Sequence, residues 1–388
     1  MLKSNVAWST EKDSYNAGKN TAKEAVKDLM QTKVAFLYTS ADNNVEEVLK
    51  GAKEELGTAP IIGCTSNGGI LVPDGYVTSD KGFAGMLAIG DPDTEVGVSG
   101  SPKLITARET GRYVAKEAMK KVGTTFSPSY FFMIANPGEE EEYAKGIQDV
   151  IGDVPMFGGS AADDDLTGKW KIFTSDKVFS EGVAVAFFYT NKKIANVYTG
   201  KYHETVNSGI ITEIEGKRTL KEIDGMPAMK QYAEWTGFKT RNLMGDKILT
   251  ASILKPLGVK TPTGNVILIR HPMAGNSDYS INVGNDLAVN TAVIQMQANL
   301  DELIKAPKIV LRELKEKVND NAAAYLFIHC GGRKIAIGDR IDEVAEYIKE
   351  EAGDVPFIMP FTFGEYGRAE HEANNMGGLM LSETAFCK

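Results

Sequence analysis

Cysteine is scarce in this chain. Its 388 residues include three, Cys64, Cys330 and Cys387. They are too few and too scattered for a disulfide framework and form no C-x-x-C pair, so reduced thiols are expected. The four histidines, His203, His271, His329 and His371, are far apart in sequence and lack zinc spacing. No metal site is expected. There is no G-x-G-x-x-G, G-x-x-x-x-G-K-[ST] or G-x-S-x-G, which removes the common nucleotide and hydrolase motifs. Long apolar runs are missing as well. No window approaches the roughly 20 apolar residues of a membrane span, and Met1 to Trp8 lacks the apolar core of a signal peptide. A cytoplasmic protein without a membrane partner is the expectation. Positive charge is in deficit, 43 Lys and Arg against 52 Asp and Glu for a net charge of -9. No dense basic run could track phosphates, which argues against nucleic acid as a partner.

What is present is one pattern used three times: an apolar strand, a helix, a Pro-led strand ending in a polar Gly/Ser-rich loop, and another apolar strand. The copies run from Val34 to Ile89, from Tyr130 to Phe188 and from Tyr325 to Leu381. Repetition of this kind points to pseudo-symmetric units whose equivalent loops converge on one site. With 43% hydrophobic residues the chain can bury a large core, and its length suits two domains. A composition shift places their boundary near residue 215, giving domains 1–215 and 216–388. The fold class expected is α/β: two pseudo-repeated domains of mixed β-sheet with helices on the outer faces, forming four αββα layers if the halves pack sheet to sheet.

Local signals refine this. Asp42 to Leu56 reads as a helix capped by Asp42 or Asn43 and stopped by Gly57. Pro60 to Cys64 then returns parallel to Val34–Tyr38, as a crossover of this length dictates. Trp170 to Ile211 reads as several paired strands. Thr219 to Gly237 reads as helical, Asn265 to Arg270 as a buried strand, and Leu300 to Val318 as two helices.

The loops supply the candidate ligand-binding residues. Cys64-Thr-Ser-Asn-Gly-Gly follows a strand end, where small residues admit a ligand and Ser66 and Asn67 offer hydrogen bonds. In the second copy Gly159, Ser160 and Asp163 hold the equivalent place. The run Asp163-Asp-Asp lacks calcium-loop spacing and reads as a solvated turn. Arg270 ends an apolar strand and Arg333 follows Cys330-Gly-Gly in what reads as a loop. Two such arginines could hold a carboxylate or phosphate, with Glu365 receiving an amine or pairing with one of them. Phe363-Gly364-Glu365 closes the third copy. No catalytic set is self-evident. An enzyme using Cys64 or Cys330 as nucleophile would need a histidine brought beside it by the fold.

Taken in order, Gly63-Cys-Thr-Ser-Asn-Gly-Gly-Ile, Phe157-Gly-Gly-Ser-Ala-Ala-Asp, Ile269-Arg270-His-Pro, Cys330-Gly-Gly-Arg333 and Gly364-Glu365 resemble FIST-domain proteins. The resemblance extends from about residue 15 to residue 388, with the N-terminal FIST domain in the first half and the C-terminal one in the second. It implies an intracellular sensory module that binds a small ligand such as an amino acid. The output is expected to pass through a separate signalling protein, because no kinase, cyclase or chemoreceptor segment is attached. Some relatives are described as haem-binding nitric oxide sensors, so haem is the alternative cofactor, held by a His, Cys, Met or Tyr. Phe363 and Tyr366 around the Gly-Glu pair depart from many relatives and bear on the ligand class.

Overall fold

Three six-stranded sheets of identical topology meet around one apolar centre in the computed structural model, which describes every residue except Pro262 and Asn265. Each sheet is built on a parallel pair of strands joined by a helical crossover: Thr32–Thr39 with Ile61–Thr65, Tyr130–Ala135 with Met156–Ser160, and Ala322–Cys330 with Phe357–Thr362. An antiparallel strand lies beside the first member of each pair: Ala84–Gly90, Gly182–Tyr189 and Leu381–Cys387. The threefold pattern read from the sequence is thus a threefold repeat of topology.

The repeats exchange hairpins in a cycle. The hairpin Ile70–Val72/Gly75–Val77 of the first copy adds to the sheet of the third. The hairpin Ile172–Thr174/Lys177–Phe179 of the second adds to the first. The hairpin Glu365–Arg368/Asn374–Gly377 of the third adds to the second. Each hairpin covers an edge that would otherwise present unpaired amides and carbonyls, so the three units close on one another.

The centre is filled by aromatic and branched side chains from all three sheets, among them Phe36, Phe132, Phe157, Phe188, Ile328 and Phe386. The rings of Phe36 and Phe132 meet edge to face at 5.0 Å, the arrangement that aromatic quadrupoles favour. Helices cover the outer faces, as in the expected mixed α/β architecture. Ser14–Ala25 and Val45–Leu56 pack on the first sheet and Ala107–Val122 and Glu140–Ile151 on the second. Leu300–Lys317 and Ile341–Ala352 pack on the third. Each sheet face thereby finds a hydrophobic partner.

Strands between His203 and Gln297 make a fourth, antiparallel sheet inserted between Ile194–Thr199, the edge strand of the third sheet, and the helix Leu300–Lys317. Here several local readings change. Thr219 to Gly237 begins as strand Thr219–Ile223, and only Ala228–Thr236 is helical, because the first segment pairs on both sides within the inserted sheet. Leu300–Lys317 is a single helix despite Pro307, opened by an Asn299/Glu302 capping box. Asn44 caps Val45–Leu56, since the amide of Asn43 is spent on Thr39 Oγ1 at 2.8 Å and the Phe83 carbonyl at 2.9 Å. Ile267–Arg270 is a strand, and the Asn265 end of that reading lies outside the described residues. No helix among the described residues is long and apolar enough to cross a membrane.

Candidate functional site

The loops at the carboxyl ends of the three parallel pairs meet in a ring. The Asn67 amide donates to the Phe361 carbonyl at 2.9 Å, the Phe363 amide to Ser160 at 3.3 Å, and the Ala162 amide to Thr65 at 3.1 Å. Donor and acceptor positions are equivalent in all three copies. The loops at Cys64–Asn67, Gly158–Asp163 and Phe363–Glu365, expected to converge together with Cys330–Arg333, are joined by these hydrogen bonds, whereas Cys330–Arg333 opens the helix Gly331–Ile337.

Most of the polar loop residues are consumed in making that ring. Ser66 Oγ accepts from the Phe361 amide at 2.8 Å and donates to the Gly69 carbonyl at 2.7 Å. Asn67 Nδ2 donates to the Asp163 carbonyl at 2.7 Å, while its Oδ1 is buried without a partner. Asp163 holds its own loop by accepting from the Leu166 and Lys169 amides, each at 2.7 Å. Gly159 pairs with Glu365 and would clash with Ile328 and Thr362 if it carried a Cβ. Cys64 is fully buried in the central core, and burial raises its thiol far above the ordinary range.

The two arginines lie elsewhere than a ligand would require. Arg333 is in the short helix Gly331–Ile337, not in a loop. It is fully buried, its Nη1 donating to the Gly200 carbonyl at 2.7 Å and to that of Leu379 at 3.2 Å. Arg270 is 8% exposed and donates to the carbonyls of Asp286 at 3.0 Å and Met376 at 3.1 Å. Both fasten main chain.

A cavity of about 430 Å³ opens beside the ring. The second copy contributes Pro137, Gly138, Glu140, Leu166 and Trp170; the inserted sheet and its connections add Arg218, Leu249, His271, Met273, Val283 and Gly284. The third copy supplies Cys330, Gly332, Ile335, Phe363 and Gly378. Trp170 and Phe363 meet edge to face at 6.1 Å on its wall. Of the residues proposed from sequence, Cys330 and Phe363 line it directly, and Ser160, Gly364 and Glu365 stand immediately behind.

The polar end of the cavity is a buried network. Arg218 Nη2 reaches Glu140 at 2.7 Å and Glu141 at 2.5 Å, its Nε reaches Asp286 at 3.2 Å, and its Nη1 donates to the Gly284 carbonyl at 2.7 Å. Ser160 Oγ donates to Glu140 at 3.1 Å and lies 2.6 Å from the Tyr366 hydroxyl. Burial raises the Glu140 carboxyl despite Arg218, whereas the same arginine holds Glu141 below the ordinary range against burial. Lys217, 3.5 Å from Asp286, and Arg270, whose charge helps to lower Glu141, add further positive charge to this network.

Cys330, Glu365 and His271 form a second group. Burial, then the charge of Glu365, raise the Cys330 thiol. Burial pushes Glu365 up to about 8, although the Met380 amide and Thr362 hydroxyl favour its charged form. His271 is brought down to about 4 by burial, so it is neutral near pH 7. A Cβ placed on Gly332 would lie 3.6 Å from Cys330 Sγ and 3.6 Å from His271 Cε1, so both side chains border Gly332 on the cavity wall. Sequence reasoning missed Glu140, Trp170, Arg218 and His271. His271 stood in the Ile269-Arg270-His-Pro stretch without a role assigned to it; Arg218 offered no signal, because only the inserted sheet brings it here. Among the described residues no cluster of His, Cys, Asp and Glu could hold a metal ion.

Three pseudo-repeated α/β units with an inserted sheet, bordering a largely apolar cavity, define a protein of mixed α/β class. It belongs to the FIST family: residues 33–226 match the FIST N domain and residues 228–368 the FIST C domain. FIST domains are associated with signal transduction through the sensing of small ligands. No curated protein matches the chain. Among solved structures it is similar to cyanuric acid hydrolase from A. caulinodans, at 8% identity with both chains fully covered and a TM-score of 0.38. It is also similar to PurLQS from Thermotoga maritima, at 8% identity over 100% of this chain and 73% of that one, with a TM-score of 0.25. Likenesses this weak leave the argument with the chain's own geometry.

Proposed function

We propose that this protein is a sensory module that binds one small, mainly apolar molecule in the cavity beside the loop ring and reports its occupancy to a separate signalling protein. The observation that carries the reading is the origin of the cavity wall, to which the second copy, the inserted sheet and the third copy all contribute. A ligand seated there touches all three, and its binding energy can bias their relative packing. The ligand class follows from the walls. Trp170, Leu249, Met273, Ile335 and Phe363 suit an apolar body, and Glu140, the carboxylate on the wall, suits an ammonium head. An apolar amino acid, or better the amine related to it, fits this description. Arg270 and Arg333 hold carbonyls and play no part in it.

Haem fits these walls less well. Its propionates need cations, and Arg218, the cation on the wall, is already shared among three carboxylates.

The test is a thermal-shift and calorimetric panel of apolar amino acids, their amines and their carboxylic acids against the full chain. Saturable binding of amines or amino acids, weakened at least tenfold by Trp170→Ala, is expected. Binding by the carboxylic acids alone, or binding unaffected by Trp170→Ala, would overturn the reading.

A further inference from the structure

We propose that Cys330 gives this cavity a covalent mode, capturing apolar electrophiles of the α,β-unsaturated ketone class as thioethers. The inference rests on the reading of the cavity as a small-molecule site. Of the three cysteines, Cys330 alone lines this cavity. Its sulfur accepts from the Leu379 amide at 3.3 Å, while the next amide, Met380, donates to Glu365 Oε2 at 2.8 Å. Two consecutive amides therefore hold the thiol and the carboxylate side by side. The turn that aims them has Leu379 at φ 56°, a left-handed conformation unusual for a branched side chain. The two groups lie close enough for the charge of Glu365 to raise the thiol.

The repeat shows that this carboxylate is not a demand of the fold. Glu365 pairs with Gly159 as Ile172 pairs with Cys64 and Ile70 with Pro360, so the two equivalent positions are isoleucine. A buried carboxyl is destabilising where isoleucine would stabilise. Its presence beside the one thiol on the cavity wall calls for a chemical role.

His271 adds a second group. It is 5% exposed, and its Nε2 lies 2.8 Å from the Leu249 carbonyl, which can only accept. The ring proton therefore sits on Nε2, and Nδ1 carries a lone pair that no hydrogen bond from the described residues occupies.

The chemistry balances without a co-reactant beyond water. The Cys330 S–H proton passes to the Glu365 carboxylate as the sulfur pair forms a bond to the β-carbon. The alkene π pair moves to the carbonyl oxygen as an enolate. Water held on the His271 lone pair protonates the α-carbon, and the hydroxide left behind takes the proton from Glu365. The net change is addition of S–H across C=C. The apolar wall selects an apolar tail, and Leu166 and Ile335, each 46% exposed, mark the mouth through which it enters.

The experiment treats the full-length protein with 1-octen-3-one and follows adducts by intact mass and peptide mapping, with acrylamide as a polar control. A single adduct on Cys330 is expected, at least tenfold faster than on Cys64 or Cys387. The rate should rise through about pH 8 as Glu365 ionises. The other groups facing the pair are Arg333, Tyr198, Tyr202 and His271. The two tyrosines are raised by burial and His271 is neutral, so the inflection belongs to Glu365. Glu365→Gln should keep the fold and lose both the rate and the inflection. Labelling spread evenly over the three cysteines, labelling only after denaturation, or an unchanged pH profile in Glu365→Gln would overturn the proposal. If the reversible ligand still binds while Cys330 stays unlabelled, the capture mode fails and the sensory reading stands. Loss of both removes the reading itself.

Discussion

Glu365 stands opposite Gly159 across an antiparallel ladder, at the register that isoleucine holds in the other two copies of the repeat. Both of its oxygens are engaged, Oε1 by the Thr362 hydroxyl at 3.2 Å and Oε2 by the Met380 amide at 2.8 Å. Even so, burial dominates and raises the carboxyl to about 8 from an ordinary 4.5.

This gives a stability prediction with a definite sign. Between about pH 4.5 and 8 the folded state binds the Glu365 proton more tightly than the unfolded state does, so this residue's contribution falls as pH rises through that window and is flat above it. Glu365→Gln should therefore be more stable than the parent at pH 8, by on the order of a few kcal/mol, with the difference shrinking toward pH 5. Urea denaturation of both proteins across the range checks it; a gap that widens toward acid would contradict it.

Histidine acts in the opposite sense. His271 is lowered to about 4 and His329 to about 3, both by burial. The unfolded chain binds their protons first, so stability is lost as pH falls below about 6.5 and the loss continues to those lower values. His329→Phe should flatten part of this acid limb in a melting series. The ring already packs edge to face on Phe361 at 5.4 Å and its Nε2 has no partner to lose, so the change gives up only the 3.0 Å contact of Nδ1 with the Cys330 carbonyl.

Arg218 ties the inserted sheet to the second copy. Arg218→Met would leave Glu140 and Glu141 buried without their cation, a change that costs about 3–5 kcal/mol in comparable buried pairs. The expected outcome is a large fall in denaturation midpoint, and Arg218→Lys should recover only part of it, since one ammonium cannot reproduce the fork that meets three carboxylates.

Gly364 is a position where bulk reaches the network without crossing the core. A Cβ there would sit 2.7 Å from Ser160 Oγ, which Glu140 and Tyr366 hold in place, and 3.6 Å from Glu140. Gly364→Ala should cost about 1–3 kcal/mol and weaken ligand binding more than a change of similar stability elsewhere. Gly63→Ala makes the contrast: its Cβ would lie 1.7 Å from the Leu37 carbonyl, so that variant should fail to fold.

The arginines yield a final expectation. Arg333→Ala removes the donors from the carbonyls of Gly200 and Leu379 inside the protein. It should destabilise the chain by about 1–3 kcal/mol or more without acting on the cavity directly, as paired melting and ligand titrations would show.

The sequence by itself determined the repeat. Alternation of buried strand, capped helix and Pro-led strand is a local property, written within each copy by hydrophobic spacing and stop signals. So is the placement of polar loops such as Ser66-Asn67 and Ser160 at the ends of parallel strands, and their family order was legible in the same stretches. The tertiary structure decided which copy receives which hairpin, and with it that Glu365 lies beside Cys330 while Arg270 and Arg333 turn inward to carbonyls. It also decided that His271 and Arg218, carried on an inserted sheet, close the cavity over Trp170 and Phe363. Those outcomes depend on pairing between segments as distant as Ile70 and Pro360. Such register is set by the packing of many side chains at once, and no local pattern encodes it.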